Sequence, residues 1–309
     1  MTLPFTLQQL RILKAIASEK SFTRAAEILY ISQPTLSKQF KSLESSLGLL
    51  LVNRRNNKIS LTEAGIVFLQ YSERILTLCE ESCRALNDLK NGDRGNLIVG
   101  ASQTIGTYVM PRILALFVQN HPQICLKVQV DSTRTIAKNI INHQIDIAVV
   151  GGDIPKELTK NLQIEHFVDD DLILILPKSH PFAIRKNKCI KKDELYNLNY
   201  IALNPSSTIR KFIDTILIQN KIETKQFNII MELNSIEAIK TAVSLGLGAA
   251  FISSSAIEKE IELKTLEIID IENLKMTRTL SILTNPHCYH SKAFEFFYKE
   301  LIKLKKYKN

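Results

Sequence analysis

The stretch SFTRAAEILYISQPTLSKQFKSLE, from Ser21 to Glu44, carries two apolar faces with helical spacing, separated by Tyr30-Ile31-Ser32. Ser32 is a good helix N-cap, and Pro34 is tolerated in a first helical turn because the amide it lacks would have no intrahelical partner. The small pair Ala25-Ala26 lets a second helix cross closely. The stretch therefore predicts a helix-turn-helix. Its apolar positions are Phe22, Ala25, Ala26 and Leu29 in the first helix and Leu36, Phe40, Leu43 and Leu47 in the second.

The outward residues of the second predicted helix carry amide, hydroxyl and ammonium groups. Such groups recognise base edges and phosphates in the major groove of DNA. An ordinary helical hairpin with a solvated face would show the same pattern, so the flanking segments decide between the two interpretations. We assign base contacts to Gln33, Pro34, Thr35, Ser37 and Lys38, and a backbone contact to Lys41.

A basic turn follows the two helices. Leu50–Val52 and Ile59–Leu61 predict two short strands, and the segment between them is rich in Asn and Arg. This is the arrangement of a wing, which lies along the minor groove and the phosphates. A solvated hairpin loop is the alternative. On the first interpretation, the DNA-binding residues of the wing are Arg54, Arg55 and Lys58.

The positive charge of the chain is concentrated near its N-terminus. Residues 1–62 contain nine Lys and Arg against three acidic residues, whereas the other 247 residues contain 31 against 28. The formal net charge of +9 therefore lies mainly on the segment with the helix-turn-helix pattern. This distribution indicates an anionic partner, namely nucleic acid, for that segment.

A long amphipathic helix is predicted after Thr62, which can cap it. Apolar or small residues recur every three or four positions until Asn91-Gly92 ends the pattern. A narrow apolar stripe on a lone helix has nothing to bury against except a partner helix. We therefore predict a homodimer whose seam contains Phe68, Tyr71, Ile75 and Leu78.

From Asn96 onward, predicted strands and helices alternate, which is typical of a parallel sheet with crossover helices. One α/β block ends near Gly152, and a second begins with a strand at Asp171–Leu176. The chain then returns with a strand at Thr279–Leu283 and a last helix at His290–Lys305. Two crossings between the blocks predict two lobes with a ligand cleft at the strand ends.

Polar residues follow several of these strands and precede helices. Hydroxyls, amides and free backbone N–H groups at a helix start suit an anionic ligand. Simple helix caps without a ligand are the alternative, and Arg134 and Arg210 can pair either with a phosphorylated metabolite or with surface acids. The candidate effector-binding residues are Ser102, Gln103, Thr104, Thr133, Asn204 and Ser206.

Several classes of protein are disfavoured by the composition. No apolar run approaches the roughly 20 residues of a membrane span, and no secretory signal is visible at the N-terminus. The five cysteines are scattered, which indicates a reducing compartment and no disulfide framework. No catalytic triad order, metal-ligand set or phosphate-binding loop occurs. We therefore expect no enzyme activity, no catalytic residue, no metal and no cofactor.

The motifs resemble those of LysR-type transcriptional regulators along the whole chain. The closest matches are SFTRAAE at residues 21–27, SQPTLSKQ at 32–39 and LTEAG at 61–65. The resemblance implies three parts. These are a winged helix-turn-helix at residues 1–62, a dimerising linker helix at 63–94, and a two-lobed α/β effector domain like periplasmic binding proteins at 95–309. The predicted lobes are residues 95–168 with 270–309, and residues 169–269.

The family resemblance also implies partners and further site residues. Members act as dimers and usually tetramers on promoter DNA, respond to a small-molecule effector and contact RNA polymerase. It adds Ser21 and Thr23 to the DNA-binding residues. Lys38 stands where Arg is frequent in the family, and because Lys lacks the bidentate fork of Arg, we expect weaker base discrimination there.

Within this family, the effector half is most similar to regulators of the rubisco operons. The carriers include ASQTIGTY at residues 101–108 and GLGAAF at 246–251. The resemblance implies an activator whose effector is a phosphorylated sugar or a nucleotide metabolite. Heavy use of Ile, Lys and Asn fits a plastid genome, so we expect the chain in the plastid stroma of an alga, with a bacterial cytoplasm as the alternative. Other open interpretations are a LysR-type regulator of another metabolic operon and a cytosolic solute-binding protein.

Overall fold

A computed structural model describes residues 3–55, 58–91 and 95–308 of the chain. These residues form two compact units: Met1–Asn91 with Asn142–Gln144, and Gly92–Ile141 with Ile145–Asn309. Among the described helices, none is both long and apolar enough to cross a membrane. The elements of the first unit are α1 (Leu7–Glu19), α2 (Phe22–Ile28), α3 (Gln33–Leu47), β1 (Val52–Arg55), β2 (Lys58–Leu61) and α4 (Glu63–Asn91).

The first unit has the predicted winged helix-turn-helix fold. The apolar faces predicted for α2 and α3 pack into one core with Leu13 and Ile16 of α1. Phe22 and Phe40 meet edge to face with their ring centroids 5.5 Å apart, which joins α2 to α3. Gly48 ends α3 with a φ of 67°, a backbone conformation that glycine adopts without steric cost.

The first strand of the wing begins later than the sequence pattern predicts, whereas the second, Lys58–Leu61, agrees with the predicted Ile59–Leu61 to within one residue. The first strand is Val52–Arg55 rather than Leu50–Val52, and Leu50 is exposed. Val52 pairs with Leu61 and Arg55 with Lys58, so both arginines of the predicted loop lie on a strand. The prediction failed because the hairpin is held by backbone pairing, which an apolar pattern does not show.

The second unit contains the remaining elements. Its strands are β3 (Gly95–Ser102), β4 (Ile124–Asp131), β5 (Ile147–Gly151), β6 (Gln163–Pro177), β7 (Cys189–Ile190), β8 (Asn199–Leu203), β9 (Asn228–Leu233), β10 (Ala250–Ser253), β11 (Leu266–Ile271) and β12 (Met276–Thr284). Its α-helices are α5 (Met110–Asn120), α6 (Thr133–Ile141), α7 (Lys156–Thr159), α8 (Pro181–Ile184), α9 (Thr208–Gln219), α10 (Ile236–Ser244), α11 (Glu258–Glu262) and α12 (Lys292–Lys308). A π-helical turn, Ile105–Val109, precedes α5.

Two long strands connect the two lobes of this unit. The strand order of the main sheet is β4-β3-β5-β12-β6-β11-β7, and β10 also pairs with β6. The first half of β6 pairs with β12, and its second half pairs with β10 and β11. The predicted strand Asp171–Leu176 is therefore only the second half of a 15-residue strand. Lobe I contains β3–β5, the first half of β6, β12, α5, α6 and α12, and lobe II contains the elements from the second half of β6 to β11.

Each lobe has its own apolar core. In lobe I, α5 and α12 cover one face of the sheet, where Phe117 and Phe297 meet edge to face at 5.1 Å. The other face is covered by α6 through Ile136 and Ile140. In lobe II, Ile213 of α9 and other residues of α9 and α10 pack on the sheet around the buried Tyr200. Two lobes with separate cores, joined by two strands, leave a cleft between them, as predicted.

Candidate DNA-binding surface and effector cleft

Local caps fix the starts of α2 and α3. Ser32 Oγ accepts a hydrogen bond from the Thr35 amide at 3.3 Å, and Pro34 lies in the first turn as predicted. Tyr30 turns the chain with a φ of 54° and is exposed. At the start of α2, Ser21 Oγ accepts from the Arg24 amide at 3.3 Å. The hydroxyl of Thr35, one of the predicted base-reading residues, lies 2.7 Å from Ser32 Oγ and so takes part in the cap of α3.

The predicted base-reading residues lie together on one side of α3. Gln33 Nε2 donates to Ser37 Oγ at 3.0 Å, which orients both side chains along the helix. Four of the six residues assigned to the face are exposed polar or charged side chains, Pro34 is exposed, and Ser37 is half-buried; these residues are Gln33, Pro34, Thr35, Ser37, Lys38 and Lys41. Thr23 of α2 is also exposed. The arrangement can place amide, hydroxyl and ammonium groups in a major groove.

The wing is tied to the C-terminal part of α3 by Glu44. Its Oε1 accepts from the Leu51 amide at 2.7 Å and from the Val52 amide at 3.4 Å. The prediction included neither bond, although a glutamate at the end of a recognition helix and before a strand is a usable signal. Of the predicted wing residues, Arg54 and Arg55 lie on β1 and Lys58 on β2. Their side chains, like residues Asn56 and Asn57, lie outside what the structure describes.

The segment Leu61-Thr62-Glu63-Ala64-Gly65 joins the wing to α4 by two specific contacts. Thr62 Oγ1 donates to the Leu50 carbonyl at 2.7 Å and accepts from the Gly65 amide at 2.9 Å, which confirms Thr62 as the helix cap. A Cβ at Gly65 would lie 2.0 Å from the Leu51 carbonyl oxygen. Only glycine therefore allows the helix to approach the strand this closely.

The predicted dimer seam on α4 is divided between two environments. Phe68 packs on the core of the first unit, where its ring meets Phe5 edge to face at 5.4 Å. Tyr71 and Leu78 are 57% and 59% exposed, and Ile75 between them is half-buried. The apolar surface still open to a partner thus centres on Tyr71 and Leu78, one heptad apart, and the dimer remains a prediction.

A cleft with a volume of about 430 Å³ lies between the two lobes of the second unit. All six of the predicted effector-binding residues line it: Ser102, Gln103, Thr104, Thr133, Asn204 and Ser206. Gly151, at the end of β5, lies between two of them. Its amide donates to Ser102 Oγ at 3.1 Å, and its carbonyl accepts from Thr133 Oγ1 at 3.0 Å. The hydroxyl groups of lobe I are therefore positioned by the backbone of β5.

Three α-helices begin at the cleft. Ser132 and Thr133 start α6, Ser207 and Thr208 start α9, and Ile236 starts α10. The first turns of α6 and α10 are capped, because Ser132 Oγ accepts from the Thr135 amide and Ser235 Oγ from the Ala238 amide. Ser207, the N-cap residue of α9, makes no side-chain cap hydrogen bond. The first-turn amides of α9 and the positive ends of the three helices favour an anion in this cleft.

The two arginines that the sequence left undecided both pair with acids. Arg134 Nη2 lies 2.7 Å from Glu157 Oε1 at the surface. Arg210 Nε donates to Asp214 at 2.9 Å, and its Nη1 donates to the Leu203 carbonyl at 3.2 Å. Neither side chain lines the cleft.

The prediction missed the arginine that does line the cleft. Arg278 of β12 is 4% exposed, and its Nε donates to Oδ2 of the equally buried Asp170 at 2.8 Å. Ser253 and Ser255 of lobe II donate to the other oxygen of Asp170 at 2.7 and 3.0 Å. The pair thus lies where β6 and β12 connect the lobes. The signal was available, since Met276, Arg278 and Leu280 alternate with polar residues and place the arginine on the buried face.

Two protein-family models match successive parts of the chain. Residues 7–66 match the model of the bacterial regulatory helix-turn-helix protein, lysR family, and residues 90–304 match the LysR substrate binding domain. A relative from Trieres chinensis is 72% identical over the full length of both chains and is named probable RuBisCO transcriptional regulator.

Solved structures share this fold. Full-length CbnR complexed with its target DNA superposes with a TM-score of 0.69 at 19% identity, covering 97% of this chain and 99% of CbnR. The regulatory domain of Synechocystis PCC6803 CcmR in complex with 2-PG has a TM-score of 0.61 at 25% identity and covers 69% of this chain and 98% of that domain. With family models that match both units and a relative that matches end to end, the chain belongs to the LysR family of transcriptional regulators.

Proposed function

We propose that this chain activates transcription of the rubisco genes in an algal plastid, by binding their promoter DNA as a dimer or tetramer. The observation that carries the target is the 72% full-length identity to the Trieres chinensis protein named probable RuBisCO transcriptional regulator. The matched region spans both units of the chain. The algal source of that relative supports the plastid stroma as the site of action.

The DNA contact is assigned to both copies of α3 in the oligomer. Gln33 and Lys38 reach base edges, and Lys41 reaches the phosphates, because these exposed side chains lie on one side of the helix. The wing, with Arg54, Arg55 and Lys58, lies along the backbone beside it. RNA polymerase is the further partner through which such a protein activates transcription.

A gel shift on the DNA upstream of the rubisco operon tests this assignment. At physiological salt, we expect wild type to bind this DNA at least 10³-fold more tightly than random DNA. Gln33→Ala and Lys38→Ala are each expected to weaken specific binding by about 1–3 kcal/mol. Lys299→Ala, which removes an exposed lysine from α12 of the second unit, is the matched control for lost charge.

The outcomes of this gel shift separate the target from the surface. Equal binding of wild type to promoter and random DNA would refute the rubisco target. Specific binding that survives unchanged in both α3 variants would refute the recognition face instead. Loss of specific binding in Lys299→Ala to the same degree would show that total charge, rather than the face of α3, sets the affinity.

The effector is assigned to the cleft between the lobes. Its hydroxyl lining, the three helix starts and the uncapped α9 suit a small anion. The ligand 2-PG, which the CcmR regulatory domain binds in its solved complex, is the first probe. Calorimetric titration of 2-PG into the full chain measures this binding, with Thr133→Ala as the variant in the cleft lining. An unchanged affinity of the variant for 2-PG would show that the ligand does not bind in the cleft.

A further inference from the structure

The most exposed large apolar side chains described in the second unit lie at one end of lobe II. Ile184, Leu245 and Leu263 are 72%, 73% and 74% exposed. Single exposed leucines are common on protein surfaces, whereas several in one place indicate a surface that binds something apolar. Three such side chains at one end of a lobe therefore require an explanation.

The register of the sheet places these three side chains together. Both β10 and β11 begin beside the last residues of β6, and Leu245 lies in the turn before β10, as Leu263 does before β11. Ile184 ends α8, the short helix that follows β6. The Lys178 amide donates to the Thr265 carbonyl at 3.5 Å, which holds the segment after β6 beside the turn before β11. We call these segments the lobe II tip, namely residues 178–188, 244–248 and 262–265.

The lobe II tip is also basic, with five cationic residues and one acidic residue. These residues are Lys178, Arg185, Lys186, Lys188, Lys264 and Glu262. Two of the cations pair with acids of neighbouring elements, Arg185 with Glu194 and Lys188 with Glu267. Among the described residues, no carboxylate forms an ion pair with the other three lysines. The tip therefore combines three exposed aliphatic side chains with three ammonium groups that have no carboxylate partner.

This combination of groups distinguishes between classes of partner. The phosphates of DNA would pair with the lysines but would gain nothing from exposed leucines. A second copy of the chain, in a symmetric contact, would bring two positively charged surfaces together. Lysine is depleted from the core of protein interfaces, where Tyr, Trp and Arg supply most of the affinity. The surface of an anionic membrane, by contrast, attracts lysines and accepts aliphatic side chains beside them.

We propose that the lobe II tip binds the surface of a membrane that contains anionic lipids. Ile184, Leu245 and Leu263 insert between the headgroups, and the lysines without a carboxylate partner bind headgroup phosphates. Sharp turns follow both leucines, since Gly246 has a φ of 85° and Lys264 a φ of 56°. The contact uses neither α3 nor the cleft, so it is independent of the proposed function.

Tryptophan fluorescence tests the insertion directly, because the chain contains no Trp. Leu263→Trp in the full chain provides a single reporter at the tip. With vesicles of equal parts phosphatidylcholine and phosphatidylglycerol, we expect its emission to shift to shorter wavelength and to be quenched by brominated acyl chains. Vesicles of phosphatidylcholine alone should bind at least about tenfold more weakly. Ile164→Trp, at a 40% exposed position of β6 in lobe I, is the matched control and should show no shift.

Two double variants separate the aliphatic part of the tip from its charge. The aliphatic variant is Leu245→Ser with Leu263→Ser, and the charge variant is Lys178→Glu with Lys264→Glu. Each lysine near an anionic surface contributes about fivefold to binding, so the charge variant should bind the mixed vesicles at least about 20-fold more weakly. The aliphatic variant should lose at least about tenfold. Co-sedimentation with the vesicles measures both, in the presence of excess double-stranded DNA that occupies the basic helix-turn-helix unit.

Lys156→Glu with Lys160→Glu, two exposed lysines of lobe I, is the matched control for reversed charge and should bind vesicles as wild type does. An emission shift at the tip together with weaker vesicle binding by both tip variants supports the inference. Unchanged binding by either tip variant, or vesicle binding that disappears when DNA is added, overturns it.

Two further measurements identify the other classes of partner. A smaller oligomer of the aliphatic variant in sedimentation would show that a second copy covers the tip, and would overturn the inference. Weaker DNA binding by the charge variant in a gel shift would assign the lysines to DNA instead, with the same consequence. Neither result bears on the rubisco target, which the promoter gel shift tests separately.

Discussion

Tyr108 donates a hydrogen bond from its hydroxyl to Oε1 of Glu237 at 2.7 Å, and this bond joins lobe I to lobe II beside the cleft. Arg112 of α5 and Glu258 of α11 form an ion pair that is a second contact between the lobes. Burial and the hydrogen bond to Glu237 raise the pKa of Tyr108 far above its ordinary value of 10, so the hydroxyl remains a donor. The two lobes are therefore joined by side chains that do not line the cleft.

Replacing Tyr108 by Phe is expected to loosen the lobes without disturbing either core. We expect a loss of about 0.5–1.5 kcal/mol in the free energy of unfolding and a larger radius of gyration of the ligand-free chain. Small-angle scattering and urea unfolding measure these changes. Tyr298→Phe is the matched control, since Tyr298 donates to Glu165 within lobe I. An equal expansion in both variants would contradict a latch between the lobes.

Lys240 is a buried cation beside this latch. It is 5% exposed, lies 2.8 Å from Glu237 and 2.9 Å from Glu260, and donates to the Ala256 carbonyl at 2.8 Å. Lys240→Met would leave Glu260 and that carbonyl without their partner, and we expect it to cost about 3–5 kcal/mol. Lys259→Met, an exposed neighbour on α11, serves as control for lost charge. A loss below about 1 kcal/mol in urea unfolding would show that water replaces the lysine.

The first unit was predictable from its sequence because its contacts are local. The apolar faces of α2 and α3, the Ser32 cap and the Thr62 cap depend on residues three or four positions apart, which periodicity shows directly. The position of the six cleft-lining residues was also predictable, since each follows a strand and precedes a helix or loop. These positions share their place directly after a strand, and the order of the predicted strands and helices shows that place.

The contacts across β6 were not predictable in this way. The run Asp169-Asp170-Asp171 interrupts the apolar pattern, so β6 appeared as a six-residue strand. The structure pairs these acids with Thr279, Arg278 and Thr277 of β12, more than 100 residues away. This pairing provides hydrogen-bond partners for the three carboxylates within the strand. The neighbouring sequence does not indicate it, because the partners lie far away in the chain. The buried position of Lys240 was missed because its partner Glu260 lies on another helix. Its place on the apolar face of α10 with Ile239 and Val243 was nevertheless a usable signal.

The stability of lobe I should depend on pH through Glu165. The hydrogen bond from Tyr298 lowers the pKa of Glu165 most, and Lys305 lowers it further, while burial opposes both. A carboxylate with a lowered pKa stabilises the fold above its ordinary pKa of 4.5, and this contribution is lost as the pH falls through the lowered value. Glu165→Gln should therefore reduce the slope of unfolding free energy on the acid side and lower stability at pH 7. Glu295→Gln on α12 is the matched control, and an identical acid slope in wild type and Glu165→Gln would contradict the assignment.

Gly65 allows α4 to lie close to Leu51 at the start of the wing. Because a Cβ there would lie 2.0 Å from the Leu51 carbonyl oxygen, Gly65→Ala must displace the helix or the strand. We expect a loss of about 2–3 kcal/mol in the stability of the first unit, with weaker promoter binding. Gly48→Asn is the control, because no atom lies within 4 Å of its built Cβ and Asn tolerates a φ of 67°. Thermal unfolding measures the stability, and the gel shift measures promoter binding. Unchanged stability of Gly65→Ala would show that the wing can shift to make room for the added Cβ at no cost in free energy.

The exposed apolar surface of α4 leads to a prediction about the oligomer. Tyr71 and Leu78 lie one heptad apart and are both more than half exposed, which is costly for a helix unless a partner covers them. Tyr71→Lys with Leu78→Lys should give monomers in sedimentation and lose binding to the promoter, since one half-site alone holds too few contacts. Ile184→Lys with Leu263→Lys is the matched control, because these residues are even more exposed and lie in lobe II. An unchanged oligomer in the α4 variant would place the interface elsewhere, whereas monomers in both variants would show that the dimer depends on total exposed apolar area.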